Sequence, residues 1–164
     1  MNKLKMIVDS NPSSVLSQSN GSYWIPIIQL KADIWVGISS EGYWIVESRG
    51  IFGDLSTLAS YWRVFVLLEL PLSEVRRQVK NSFISLNVDE DIDDIFPFIE
   101  IIKAAFEVGT SYWAELAFNW YDELRYEKRE ALKGSLIKIV EHKKGSRKFR
   151  HKAMKELKRI CPKA

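Results

Sequence analysis

From residue 54 to residue 160 the apolar residues recur every three or four positions, and proline or glycine cuts that pattern into lengths of one helix each. Asp54 or Ser56 can cap a first helix carrying Leu58, Trp62, Phe65 and Glu69, which must stop near Leu70 because Pro71 follows. Ser73 opens a second, with Val75, Val79, Phe83 and Leu86 on one face. The acidic segment 89–94 leads into a third, with Pro97 in its first turn, a buried stripe of Phe98, Ile101, Ile102 and Ala105, and Gly109 as its stop. Thr110 or Ser111 caps a fourth, on which Trp113, Leu116, Ala117, Trp120 and Leu124 fall at helical spacing. Leu132, Leu136, Ile139 and Val140 mark a fifth. Phe149, Ala153, Met154, Leu157 and Ile160 mark a sixth, separated from the fifth by Gly145. Short connections between such helices imply antiparallel neighbours.

The N-terminal third is less regular. Residues 1–22 read as a polar lead-in, because DSNPSSVLSQSNGS is rich in turn formers and lacks an apolar stripe. Between Tyr23 and Glu47, Ile27, Leu30, Ile34 and Ile38 fit a helix over about 26–38, whereas IWVGIS and YWIVES also read as two short strands around a turn. The helical reading extends the pattern of the rest. The expected fold is therefore all-α, an antiparallel bundle of six to seven helices forming a single domain over 23–164, with a short strand pair near the N-terminus as the alternative.

Charge is divided along the chain. Residues 1–124 hold 17 Asp+Glu against 9 Lys+Arg, whereas residues 125–164 hold 15 Lys+Arg against 4 Asp+Glu, within a total of +3. An acidic body thus precedes a basic C-terminal helical hairpin, which suits two oppositely charged surfaces of one domain or a basic part that meets nucleic acid. At 46% hydrophobic and 27% charged, the 164 residues are too apolar for a disordered chain. The single Cys161 allows no internal disulfide and no metal-binding spacing. Asp9-Ser10-Asn11-Pro12 ends the N-terminal apolar stretch too early for a secretory signal, and the longest apolar run, residues 64–68, is far short of a membrane span. A cytoplasmic protein without membrane contact is expected.

Two charged runs are candidate binding sites. In VDEDIDD, Asp89, Glu90, Asp91, Asp93 and Asp94 exceed what a helix N-terminus needs to satisfy its dipole, and such surplus suits an electropositive partner. Asp89, Asp91, Asp93 and Glu100 also match positions of a calcium loop, but Asp94 stands where that loop needs glycine, so no metal is expected. The second run contains Arg147, Lys148, Arg150 and Lys152, which could contact phosphates. The two histidines, His142 and His151, are nine residues apart across a glycine and share no ligand face. No nucleophile–base constellation or cofactor motif occurs, so neither catalysis nor a cofactor is expected. Four Tyr-Trp pairs, at Tyr23-Trp24, Tyr43-Trp44, Tyr61-Trp62 and Tyr112-Trp113, have no common period. Each is expected to place one ring inward and the other toward the rim.

The segment GTSYWAELAFNWYDELRYEKREALKGSLIKIV, followed by GSRKFRHKAMKELKRI, resembles the C-terminal helices of small α-helical immunity proteins of bacterial polymorphic-toxin and contact-dependent growth-inhibition systems. The likeness lies in the YWAELAFNW helix and in Arg150-His151-Lys152-Ala153, and SRGIFGDLSTLASYW has the same flavour. The resemblance implies a cytoplasmic protein that binds the C-terminal domain of one cognate toxin and blocks its active site or substrate access. For a nuclease toxin, with its basic cleft, Asp89, Glu90, Asp91, Asp93 and Asp94 would stand in for phosphate. The alternative expectation is a helical nucleic-acid-binding or regulatory domain using the basic C-terminal region.

Overall fold

Residues 23–54, whose apolar stripe predicts a helix over 26–38, form strands instead. The structure is a computed structural model and describes residues 2–17 and 21–162. Five strands, β1 (Leu16–Ser17), β2 (Tyr23–Lys31), β3 (Ile34–Ser39), β4 (Trp44–Ser48) and β5 (Ile51–Asp54), pair in chain order as an antiparallel meander. The all-α expectation is therefore wrong: the chain is a mixed α/β fold, a curled sheet followed by helices. The lead-in also carries structure. Asn2 caps α1 (Lys3–Ser10), whose Ile7 and Val8 are buried in the core.

The strands form because Ile, Val, Trp and Tyr crowd this segment, and because its turns are cheap to make. Arg49 and Gly50 both have positive φ, 50° and 83°, which gives the two-residue reversal that matches strand twist. The Glu47 carboxylate accepts the Gly50 N–H at 2.6 Å and closes that turn. The false helical stripe comes from a reversal at Ala32-Asp33, which separates Leu30 from Ile34, and from a register shift between Pro26 and Ile28. Clean alternation is missing because both sheet faces are covered. Ile25, Ile28, Val36, Ile38, Trp44 and Val46 join the main core. On the other face Trp24 and Ile45 are buried, and Trp24 meets Phe52 edge-on at 5.8 Å although β3 and β4 lie between their strands. That contact defines the curl of the sheet.

The helical part follows the breakers. A 3-10 helix (Leu58–Glu69) begins at a capping box between Thr57 and Ser60, and ends before Pro71. Then come α2 (Leu72–Ser85), the short α3 (Ile92–Ile95), α4 (Phe98–Glu107), α5 (Ser111–Glu123), the short α6 (Tyr126–Arg129), α7 (Lys133–Glu141) and α8 (Arg147–Ile160). α4 is the central element: it packs on the 3-10 helix, α5 and α7, while α7 packs on α8. Trp120, fully buried on α5, donates its indole N–H to the Leu70 carbonyl at 2.8 Å and fixes the bend before α2. Among the described residues no helix is long and apolar enough to cross a membrane.

Candidate functional site

The acidic run caps and clamps the fold. Asp91 is the N-cap of α3, and its side chain accepts the Asp93 N–H, which together with Arg125 holds its carboxyl below the usual range. Asp93 is largely buried and receives both arms of Arg76, each at 2.9 Å, with Arg125 3.5 Å away. Asp94 takes Lys128 at 2.7 Å, and Glu90 lies 3.6 Å from Lys3. Asp89 alone among the five has no ion pair within the described residues. The fold thus sets cations from α1, α2, α6 and the α5–α6 turn against the run, and its surplus negative charge is mostly matched within the chain. The open groove beside it, about 740 Å³, is lined by both signs, with Arg76, Arg77, Lys80 and Arg125 as well as Asp89, Glu90, Asp91 and Asp93, and by Phe83 and Val88.

The basic run splits into two. Arg150 donates to the carbonyls of Lys143 and Gly145, closing the turn into α8. Lys152 pairs with Asp122 and lies 4.3 Å from the centroid of the Phe118 ring. These two residues hold α8 against α5. Arg147 and Lys148 are exposed and, among the described residues, have no side-chain partner. His151, Lys155 and Lys158 are in the same state, and Met154 stands among them, 43% exposed. On an ideal helix residues 147, 148, 151, 154, 155 and 158 fall within an arc of about 120°. Phe149, Ala153, Glu156 and Ile160 occupy the opposite, buried side. α8 therefore presents an unneutralised cationic ladder about 20 Å long to solvent.

Of the four basic residues that the sequence singles out, Arg147 and Lys148 belong to this ladder and Arg150 and Lys152 do not; Lys155 and Lys158, within the basic C-terminal region but not singled out, follow Arg147 by 8 and 11 residues and share its face. It also could not place Glu156. That carboxylate is buried on α8 and takes Arg159 at 2.9 Å, with Arg129 3.8 Å away. Burial first, and then the nearby Glu156 charge, push the Tyr121 hydroxyl up to about 12.

All four Tyr-Trp pairs put one ring inward. Trp24, Trp44 and Tyr61 are buried, and Trp113 is partly so. Tyr23, Tyr43, Trp62 and Tyr112 are exposed. Alternation on strands accounts for the first two pairs and helical geometry for the others. His142 ends α7 and His151 lies on the outer face of α8. Among the described residues no group of three or more His, Cys, Asp or Glu could hold a metal ion. No protein-family model, curated protein or solved structure gives a significant match to the chain.

Proposed function

We propose that this chain is a binding module, and specifically an immunity protein that neutralises a cognate bacterial toxin domain by direct contact. The toxin assignment rests on the resemblance of residues 109–160, and the mode of contact rests on the cationic ladder of α8. An ordinary solvated helix face mixes charges of both signs, whereas none of Arg147, Lys148, Lys155 and Lys158 has an ion pair among the described residues. Such a face accelerates encounter with an acidic surface and selects for it. The acidic run, whose carboxylates are engaged by Lys3, Arg76, Arg125 and Lys128, is the weaker candidate for the interface.

The test is co-expression with the C-terminal domain encoded by the neighbouring upstream reading frame. A toxic domain rescued by this chain, with a stable complex that the quadruple variant R147E/K148E/K155E/K158E weakens, is the expected outcome. A harmless neighbour and no complex would contradict the immunity reading.

The same unpaired cations favour one second reading, contact with nucleic-acid phosphates. Four phosphate contacts would give a log–log salt slope of about −4. The net negative charge of residues 1–124, 17 Asp+Glu against 9 Lys+Arg, disfavours this reading, because it opposes close approach of a polyanion. Titrating duplex and single-stranded probes against salt separates the two: binding that ignores salt removes the nucleic-acid reading.

A further inference from the structure

A second surface has the composition of an interface centre. Trp62 on the 3-10 helix is 64% exposed, more than any other tryptophan among the described residues. The Arg63 guanidinium lies 5.1 Å from its ring centroid and covers Gly53 of β5, where a Cβ would collide with it. Across a cleft of about 480 Å³ stand Trp113 and the exposed Val108, with Val66 between the two walls. Trp113 packs on Phe65, with ring centroids 5.7 Å apart. Leaving most of Trp62 and half of Val108 open to water, beside the half-buried Trp113, is costly for the isolated chain, and Trp, Tyr and Arg are the residue types that carry interface energy.

Charge around the cleft defines what fills it. Lys31 and Arg63 line it, and neither has a carboxylate within ion-pair distance among the described residues; Arg63 hydrogen-bonds the Ser60 carbonyl at 3.4 Å. Glu69, the one lining carboxylate among the described residues, accepts the Tyr112 hydroxyl at 3.1 Å and keeps its charge, so two cations stand against one carboxylate in the lining. The cleft also adjoins the basic helix through α5. Ser146, the N-cap of α8, donates to Glu115, two residues from Trp113, so the cleft and the first turn of the ladder flank the same end of α5.

We infer that the Trp62–Trp113 cleft docks an extended segment of the protein partner in which an apolar side chain, aromatic or aliphatic, stands next to a carboxylate. The apolar group enters between the indoles and the carboxylate meets Lys31 and Arg63. This deepens the binding reading above by naming the chemistry of the anchor, and it takes the partner's acidic character from both cationic surfaces.

The experiment needs no toxin, so its failure is separate from that of the immunity reading. The full chain is titrated with two capped tetrapeptides at millimolar concentration, acetyl-Asp-Leu-Phe-Asp-amide and acetyl-Lys-Leu-Phe-Lys-amide, while the indole N–H signals of all six tryptophans are followed by NMR. The expected result is a saturable shift of Trp62 and Trp113 with the acidic peptide, at least tenfold weaker with the basic one and lost in W62A. K31E, a change at an exposed side chain, should weaken the preference for the acidic peptide, and K31E/R63E should reverse it. No shift, an equal response to both peptides, or concentration-dependent dimerisation that W62A abolishes would overturn the inference, the last in favour of a second copy of the chain as occupant.

Discussion

Gly37 shows how a single residue can decide the N-terminal half. It pairs with Pro26 and Ile45 in the middle of the sheet, and a Cβ there would sit 2.5 Å from both the Ile25 carbonyl oxygen and Cε3 of Trp24. The Trp24 ring therefore rests on bare backbone, and G37A should cost about 1–3 kcal/mol in overpacking, read as a lower denaturation midpoint. The sequence could not reveal this, because the need for glycine is imposed by a ring 13 residues earlier on another strand. Glu107 makes a second residue-scale prediction. Burial raises its carboxyl pKa, but hydrogen bonds from Lys138 and Ser135 outweigh this and leave it below its ordinary 4.5. A carboxyl depressed in the folded state stabilises fully above the unfolded value, and that contribution is lost as pH falls through the folded one. E107Q should therefore flatten the dependence of stability on pH below about 4.5. An acid limb of unchanged steepness in E107Q would show that Glu107 does not contribute to it.

Among the elements, the helices were legible and the strands only in part: the alternative strand pair IWVGIS and YWIVES is β3 and β4, whereas β1, β2 and β5 left no clear signal. A helix writes its buried face into local spacing, so α2, α4, α5, α7 and α8 could be read from Val75, Phe98, Trp120, Leu136 and Phe149 and their neighbours. The strands lose their period-2 signature because one face packs on helices while the other curls over Trp24 and Ile45, and the reversal at Ala32-Asp33 aligns Leu30 and Ile34 as if on one helix face. Capping from a distance is equally invisible in sequence. Pro71 precedes α2 and offers no capping side chain, and the Glu123 carboxylate, from the end of α5, accepts the N–H groups of Leu72 and Ser73 at 3.2 Å each. E123A should destabilise the protein by about 0.5–2 kcal/mol, the range for a lost cap, and raise amide exchange in the first turn of α2. Unchanged protection there would mean that water replaces the carboxylate without loss.

At the scale of the whole molecule, the charge division read from the sequence survives, but its meaning changes with the fold. The acidic run is legible as a patch in the chain, whereas in three dimensions Arg76, Arg125, Lys128 and Lys3, distant in sequence, close on it. Within the basic C-terminal quarter Arg125, Lys128, Arg129, Lys138, Lys152 and Arg159 lie in ion pairs and Arg150 donates to backbone carbonyls, whereas Arg147, Lys148, Lys155 and Lys158 on the outer face of α8 have no ion pair among the described residues. The proposed binding surface is therefore α8 rather than Asp89–Asp94, with the Trp62 cleft as a second proposed contact. Cations on a helix face act mainly through the rate of encounter, and salt screens them over about 10 Å at 0.1 M. The measurement that tests this most directly is the association rate with the neighbouring toxin domain, for the wild-type chain and for R147E/K148E/K155E/K158E, across a salt series. The account predicts that at low salt the variant associates at least ten times more slowly, and that the two rates converge as salt rises. Equal rates at every salt concentration, in a complex that does form, would contradict it.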